Sequence, residues 1–311
     1  MHYSPMPLHI PDGFLNFVVS ILCWLVTAIV LSLSISRSNK SLGEGQIPLM
    51  GVMAAFIFAA QMINFPVAGG TSGHLLGGAL AAITLGPWAG MLVMTAVIAV
   101  QALLFQDGGL LVMGANILNM GLITAAIGYG LYRGVAAGSR TLKLSVAGFA
   151  AWLSVMAGAL FTSLQLWLSG TSQLQIVIPA MLTVHALIGL GEALITVAAL
   201  TFILQTRPDL IGEQSASAQG SRGWVVAGVL VSLAVVLLSP LASADPDGLE
   251  RVASDLGFLS QGASAPYELI PDYTLPFLGE TALSTIFAGT IGLIVVGVII
   301  VLLGQGLKAK S

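Results

Sequence analysis

The chain has 311 residues, of which 57% are hydrophobic and only 7% are charged, whereas soluble domains carry about 25% charged residues. This composition excludes a water-soluble enzyme, and a net charge of −3 with ten Lys and Arg residues argues against a protein that binds nucleic acid. A single cysteine, Cys23, excludes a disulfide framework and a thiolate-cluster metal site. We therefore predict an all-α, polytopic protein of the lipid bilayer.

Apolar segments long enough to cross a hydrocarbon core of about 30 Å recur along the chain. A shorter one, Leu75–Leu85, cannot span alone and is predicted to enter the bundle as a half-helix. Together they predict a seven-helix block, which includes the short helix, followed by a two-helix accessory segment. In chain order, the eight predicted spans are Phe14–Ile35, Ile47–Phe65, Pro87–Phe105, Leu111–Tyr132, Leu144–Leu168, Ile176–Leu204, Val225–Leu241 and Ala282–Leu307.

The few basic residues predict how the chain is oriented. Nine of the ten fall on one side of the membrane if the N-terminus is outside and all nine elements cross, which also places the C-terminus inside. We predict a membrane domain over residues 1–205, a cytoplasmic linker over 206–223 and an accessory segment over 224–311, with an exposed external loop at 242–281. The nine basic residues are Arg37, Lys40, Arg133, Arg140, Lys143, Arg207, Arg222, Lys308 and Lys310, and the tenth, Arg251, lies in the predicted external loop.

Two enzyme motifs are absent from the 311 residues: the G-x-x-x-x-G-K-[ST] loop that binds ATP and the H-E-x-x-H sequence of zinc proteases. We therefore predict that the protein is not an enzyme and has no catalytic residues, no cofactor and no ATPase of its own. Two of the four histidines stand out. His9 precedes the first span, and His74 ends the run Gly69-Gly-Thr-Ser-Gly-His; each is also compatible with an ordinary structural role.

An imidazole near a free chain terminus has a characteristic chemistry. The terminal amine, the next amide nitrogen and the ring nitrogen of a histidine at position two form fused chelate rings, and a second imidazole completes a square of four nitrogens. Such a square suits Ni(II) or Cu(II) better than Co(II) or Zn(II). Gly69, Gly70 and Gly73 would allow a loop to close around a small ligand.

Several runs strongly resemble the CbiM/NikM family, the substrate-binding membrane components of energy-coupling factor transporters for cobalt and nickel. The resemblance covers about residues 8–205, and a second one, to the PDGLE-type NikN accessory component, covers roughly 224–305. The matching runs are His9-Ile-Pro-Asp-Gly-Phe-Leu15, Asn64 to Gly78, Leu85-Gly-Pro-Trp-Ala-Gly-Met91, Gln101 to Gly109, Gly114-Ala-Asn-Ile-Leu-Asn-Met120, His185-Ala-Leu-Ile-Gly-Leu-Gly-Glu192 and Asp245-Pro-Asp-Gly-Leu-Glu250.

This resemblance implies a fused NikM–NikN subunit that captures Ni(II), or as an alternative Co(II) for cobalamin biosynthesis, at the plasma (inner) membrane of a prokaryote. It implies that His9 and His74 bind the metal together with the N-terminal amine and the first amide. The implied partners are a coupling membrane subunit of the CbiQ/NikQ type and ATPase subunits of the CbiO/NikO type.

The N-terminus departs from the family pattern, in which the first-motif histidine is the second residue. Here seven residues precede Leu8. Translation that starts at Leu8 would restore His9 to position two, and we favour this interpretation. Otherwise Met1 and His2 supply the amine and an imidazole, or the extension remains and the site is looser.

Further polar residues are candidates for hydrogen bonds around the metal or, equally, for contacts between helices. His185 and Glu192 lie seven residues apart, on one helical face, and a contact between helices is our favoured interpretation. A rival function uses this pair as the relay of an ion-driven secondary transporter, and a second rival is a non-transporting membrane scaffold. The other candidates are Asn64, Thr71, Ser72 and Asn116.

Overall fold

A computed structural model describes residues 9–43, 45–206 and 223–308, and within them nearly all regular structure is helical. A two-stranded antiparallel hairpin, β1 (Phe65–Val67) and β2 (Thr71–Gly73), joins α2 to α3. The helices are α1 (Phe17–Ser41), α2 (Gln46–Gln61), α3 (Gly78–Leu85), α4 (Pro87–Leu104), α5 (Met113–Asn116), a π-helical segment (Ile117–Ile123), α6 (Thr124–Tyr132), α7 (Arg140–Leu168), α8 (Leu174–Thr206), α9 (Gly223–Leu238), α10 (Gly248–Asp255) and α11 (Ala282–Lys308).

Seven helices in the described ranges are long and apolar enough to cross a membrane, when α5, the π-helical segment and α6 are taken as one. The predicted polytopic all-α class is therefore confirmed. The predicted span Ile47–Phe65 is wrong at its end, because α2 has only 16 residues and stops at Gln61. Pro66 disfavours a helical conformation at Phe65 and cannot donate a helical hydrogen bond, so the chain turns into β1.

The first span begins at Phe17 rather than at Phe14. Asn16 has an extended backbone, and its side-chain oxygen accepts a hydrogen bond from the Val19 amide (2.9 Å). This is an N-cap, which satisfies one of the amides left unpaired at a helix start. The residues before Asn16 are therefore released from the helix and can pack across its N-terminal end.

The predicted half-helix is present as α3, in which all eight residues are buried. Small residues let its neighbours approach closely: a Cβ on Gly90 would lie 2.8 Å from the Cα of Ala82, and one on Gly128 would lie 2.5 Å from the Cα of Ala79. A larger residue at either glycine would overlap the neighbouring helix, so this close packing depends on small residues. The helix α3 is thus held between α4 and α6 in the interior of the bundle.

The accessory segment packs against the same block. Helices α9 and α11 lie on α2, and α11 also contacts α4. The loop 242–281, which the sequence predicts to be exposed, is only partly so, since Asp247 and Tyr273 are buried. Most of the predicted linker (207–222) lies outside the described residues, and the domain division and the N-outside orientation remain predictions.

Candidate metal centre

The structure brings His9 and His74 together although they are far apart in the sequence. Their ring centres are 5.5 Å apart with the planes inclined at 75°, and the two residues are only 2% and 8% exposed. His9 lies in the segment before α1, and His74 directly follows β2. The cap at Asn16 and the hairpin therefore place both side chains at the same end of the bundle.

This separation is compatible with one shared ion. A metal lies about 2.0–2.1 Å from an imidazole nitrogen, and hence about 3.2 Å from the centre of the ring. If two rings bind one ion, their centres lie about 4.5 Å apart when the nitrogen–metal–nitrogen angle is 90° and about 6.4 Å apart when it is 180°, from the same bond length. The observed 5.5 Å lies between these limits.

His9 is fixed by the turn that follows α4. Its Nδ1 lies 2.9 Å from the Asp107 carbonyl oxygen and 3.5 Å from Asp107 Oδ1. Its Nε2 is buried and has no hydrogen-bond partner among the described residues. Burial lowers the pKa of His9, an effect that the nearby Asp107 carboxylate opposes. A neutral ring with Nδ1–H on the carbonyl leaves the Nε2 lone pair available to a metal.

This arrangement differs from the fused chelate that the resemblance implies. In that chelate the metal binds both the backbone nitrogen and a ring nitrogen of the same histidine and so closes a six-membered ring. Only Nδ1 can take part, since Cα, Cβ and Cγ are the three atoms between it and the backbone nitrogen. In the structure this Nδ1 is instead hydrogen-bonded to the Asp107 carbonyl oxygen. The three interpretations of the N-terminus concern Met1, His2 and Leu8, which lie outside the described residues.

Hydrogen bonds between side chains and the backbone hold the segment around His9. The Asn116 side chain makes two hydrogen bonds with Ile10, one to the amide and one to the carbonyl, both 3.0 Å. Gly108 has φ +108°, and a Cβ there would lie 3.0 Å from the His9 Cβ, so only glycine fits without strain. The Asp12 carboxylate accepts three further hydrogen bonds, from the amides of Leu110, Leu111 and Val112.

His74 is held through the backbone of the loop that carries it. Its Nδ1 contacts the Leu75 carbonyl at 2.9 Å. The buried Glu192 carboxylate accepts hydrogen bonds from the amides of Leu76 (2.6 Å) and Gly77 (2.9 Å). Glu192 therefore fixes the segment between β2 and α3.

The remaining predicted site residues lie at the same end of the bundle. His185 Nδ1 bonds to the Met181 carbonyl (2.8 Å), one turn back on α8. Thr71 and Ser72 are buried in β2. The accessory loop covers this strand. Ser72 donates from its amide to the Pro246 carbonyl and from its hydroxyl to the Asp245 carbonyl. Nearby, the Asn64 carbonyl accepts a hydrogen bond from the Ser243 amide.

A small cavity of about 70 Å³ adjoins both imidazoles. Leu249 of α10 forms part of its wall, so the accessory segment closes the cavity from outside the seven-helix block. The π-helical segment supplies another part of the wall, a location where such segments are often found. The lining residues are His9, Ile10, His74, Leu76, Asn116, Asn119, Met120, Val155, Gly158, Ala159, Thr162, Met181, His185 and Leu249.

Sequence reasoning missed several residues that shape the site. Asp107, Tyr273 and Leu249 were not among the predicted site residues. Position 107 lies in one of the family-like runs, between two glycines and a glutamine, which was a usable signal. Nothing comparable marks Tyr273, whose contact with Asp107 spans 166 residues.

Comparison with known proteins decides the family. The profile of the CbiM family, described as the cobalt uptake substrate-specific transmembrane region, matches residues 9–210, and the PDGLE domain profile matches residues 222–309. This chain is a CbiM-family protein fused to a PDGLE domain. The membership confirms the resemblance found in the sequence and places the chain in a family of membrane proteins for nickel and cobalt transport.

Relatives with the same fused organisation exist. A protein of Archaeoglobus fulgidus that bears the name of a fused nickel transport protein NikMN is 37% identical over 292 residues, or 93% of this chain and 95% of that one. A fused nickel transport protein NikMN of Rhodobacter capsulatus is 28% identical, with 97% of each chain covered. A crystal structure of a truncated transition metal transporter aligns with TM-score 0.58 and 33% identity, over 63% of this CbiM-family chain and 98% of the other.

Proposed function

We propose that this CbiM-family protein is the substrate-capture subunit of an ATP-driven, energy-coupling factor importer, and that Ni(II) is its preferred ion. The observation that carries the proposal is the buried pair of imidazoles, whose ring centres are 5.5 Å apart. Imidazole nitrogens suit late first-row metals, and Ni(II) binds such ligands more tightly than Co(II) does. Relatives of the same fused organisation are named as nickel transport proteins.

In this proposal the ion is the cargo. His9 and His74 bind it in the cavity under Leu249, and the described geometry supports coordination through Nε2 of His9. If translation starts at Leu8, the terminal amine can join the site, provided that Nδ1 leaves the Asp107 carbonyl. Intact-protein mass spectrometry of the N-terminus tests this point, since a mature chain that begins at Met1 contradicts the shorter start.

Import needs an energy source, and the 311 residues have no ATP-binding loop motif. We therefore assign transport to a complex with a CbiQ/NikQ-like coupling subunit and CbiO/NikO-like ATPases in a prokaryotic plasma membrane. Uptake in cells should stop when the ATPase subunit is inactivated. Uptake that continues without the ATPase but collapses with the proton gradient would instead support an ion-driven transporter.

The direct test is metal retention by the purified full-length protein. We expect about one Ni(II) per chain, and we expect His9→Ala and His74→Ala each to weaken binding by more than the roughly 10–100-fold typical of an outer-shell partner. Asp255→Ala, which removes an exposed side chain of α10, is the control and should retain the ion; His185→Ala tests whether the third imidazole that lines the cavity contributes. Wild-type affinity in His74→Ala would disprove the site.

Cobalt uptake for cobalamin biosynthesis is the second candidate. The CbiM family profile is described as cobalt uptake, which specifically favours it. Equilibrium competition of Ni(II) against Co(II) on the purified protein separates the two. Preference for Co(II) at equal free concentrations would replace nickel as the assigned cargo.

A further inference from the structure

The external loop of the accessory segment is attached to the end of α4. The last carbonyl groups of a helix have no partner within the helix, and here this loop supplies the donors. The attachment lies directly before the turn that carries Asp107. The three bonds run from Tyr267 Oη to the Leu103 carbonyl (3.0 Å), from the Ile270 amide to the Leu104 carbonyl (3.1 Å) and from the Asp272 amide to the Phe105 carbonyl (3.1 Å).

Tyr273 of the same loop is buried in this junction, with 8% of its surface exposed. Its ring stacks on Phe105, with centres 4.6 Å apart and planes inclined at 20°. Its hydroxyl donates to Asp107 Oδ2 (2.7 Å) and accepts from Gln101 Nε2 (3.2 Å). The phenol therefore has a fixed position and a single carboxylate acceptor.

The carboxylate that Tyr273 holds is the one next to His9. Asp107 Oδ1 is 3.5 Å from His9 Nδ1, and the Asp107 carbonyl is 2.9 Å from the same nitrogen. A group that accepts from one ring nitrogen determines the tautomer and the orientation of a histidine whose other nitrogen binds metal. Tyr273, Asp107 and His9 thus form a continuous chain of contacts from the accessory segment to the cavity.

We propose that Tyr273 is a positioning residue for His9 and that, through it, the accessory segment sets how tightly the site holds its ion. The inference rests on the proposed function, since it concerns the same site. Without the phenol hydroxyl, the Asp107 side chain loses a hydrogen bond of 2.7 Å, and the His9 ring can leave the orientation that presents Nε2. Loss of such an outer contact weakens metal binding by roughly 10–100-fold.

The test compares Tyr273→Phe with Tyr267→Phe in the purified full-length protein. Phenylalanine keeps the stacking on Phe105 and removes only the hydroxyl. Tyr267→Phe is the matched control, because it also removes one hydrogen bond of this loop to α4 but has no contact with Asp107. We expect Ni(II) affinity, measured by competition with a chelator, to fall by about 10-fold or more in Tyr273→Phe alone, with a shifted Ni(II) absorption spectrum.

A double-mutant cycle sharpens the result. In an Asp107→Asn background, Tyr273→Phe should cause little further loss, because contacts in one chain are not additive. Unchanged or tighter Ni(II) binding in Tyr273→Phe, or full additivity in the cycle, would overturn the inference. If the wild-type protein binds Ni(II) and His74→Ala loses it, such a result rejects only the role of Tyr273; a wild-type protein that binds none rejects the proposed function as well.

Discussion

The two imidazoles of the candidate site are held in different ways. His9 depends on residues from distant parts of the chain, including Asp107, Asn116 and, through Asp107, Tyr273. His74 is carried by a loop that is held through its backbone, since the Leu76 and Gly77 amides donate to Glu192 of α8. The accessory segment therefore reaches both sides of the site, but in different ways: it hydrogen-bonds to the amide and hydroxyl of Ser72 in the strand before His74, whereas it reaches the His9 ring through the Asp107 side chain.

Glu192→Ala should disturb the His74 side most strongly. It removes both acceptors of the Leu76 and Gly77 amides, and each buried amide left unpaired costs about 1–3 kcal/mol. For the two amides together, we expect the free energy of unfolding to fall by about 2–6 kcal/mol. We also expect weaker Ni(II) binding. Thermal unfolding in detergent and chelator competition measure the two effects.

Glu192→Gln should lie between the wild type and Glu192→Ala, since an amide side chain offers one acceptor oxygen instead of two. Glu268→Gln, an exposed carboxylate of the external loop, is the matched control and should change neither quantity. A Glu192→Ala protein with wild-type stability and affinity would show that the two hydrogen bonds do not hold the His74 loop.

Gly108→Ala should disturb the His9 side by a smaller amount. The position has φ +108°, and the new Cβ would lie 3.0 Å from both the His9 Cβ and Asn116 Nδ2. A left-handed conformation costs an alanine about 1–2 kcal/mol, and the contact displaces His9. We expect lower stability and weaker Ni(II) binding.

Gly170→Ala separates strain from displacement. Gly170 also has a positive φ, +76°, but a Cβ there would meet nothing within 4 Å. It should lower the unfolding temperature to a similar extent while Ni(II) affinity stays at the wild-type level. Equal affinity losses in both variants would mean that the crowding at His9 is not the cause.

The smallest expected effect concerns pH and the accessory loop. Burial, reinforced by the neighbouring Asp107, Glu268 and Glu280 carboxylates, raises the pKa of Asp272 from its ordinary 3.8 to about 7. The folded protein then holds this proton more tightly than the unfolded chain does, so the stability of the metal-free protein should fall as pH rises from about 4 to about 7.

Asp272→Asn should flatten this part of the stability profile, and asparagine tolerates the positive φ of 49° at this position. The measurement is the unfolding temperature in detergent between pH 4.5 and 7.5 (about the range that the shift defines). Asp255→Asn, on the exposed side of α10, should leave the profile unchanged. An identical slope in Asp272→Asn and the wild type would contradict the assignment.

Much of the architecture could be predicted because long apolar segments leave few alternatives in a bilayer. The half-helix α3 and the long spans follow from length and hydropathy, and the approach of His9 to His74 was anticipated from family-like runs. The end of α2 was misjudged because the apolar run continues past Gln61, and Pro66 was not weighed as a helix breaker.

The outer contacts of the site could not be predicted in the same way. Tyr273 and Asp107 are 166 positions apart, and neither hydropathy nor helical periodicity relates residues at such a distance. The burial of Asp247 was also missed, because an acidic loop is expected to face water. It caps α10 by accepting from the Glu250 amide (2.7 Å), and burial raises its pKa to about 7.

The most direct test of the central claim is X-ray absorption spectroscopy at the nickel edge on the purified full-length protein loaded with one equivalent of Ni(II). If His9 and His74 share the ion, the spectrum will show the multiple scattering of two imidazole rings on each nickel. A nickel ion with one imidazole or none, surrounded mainly by oxygen ligands, would contradict the account.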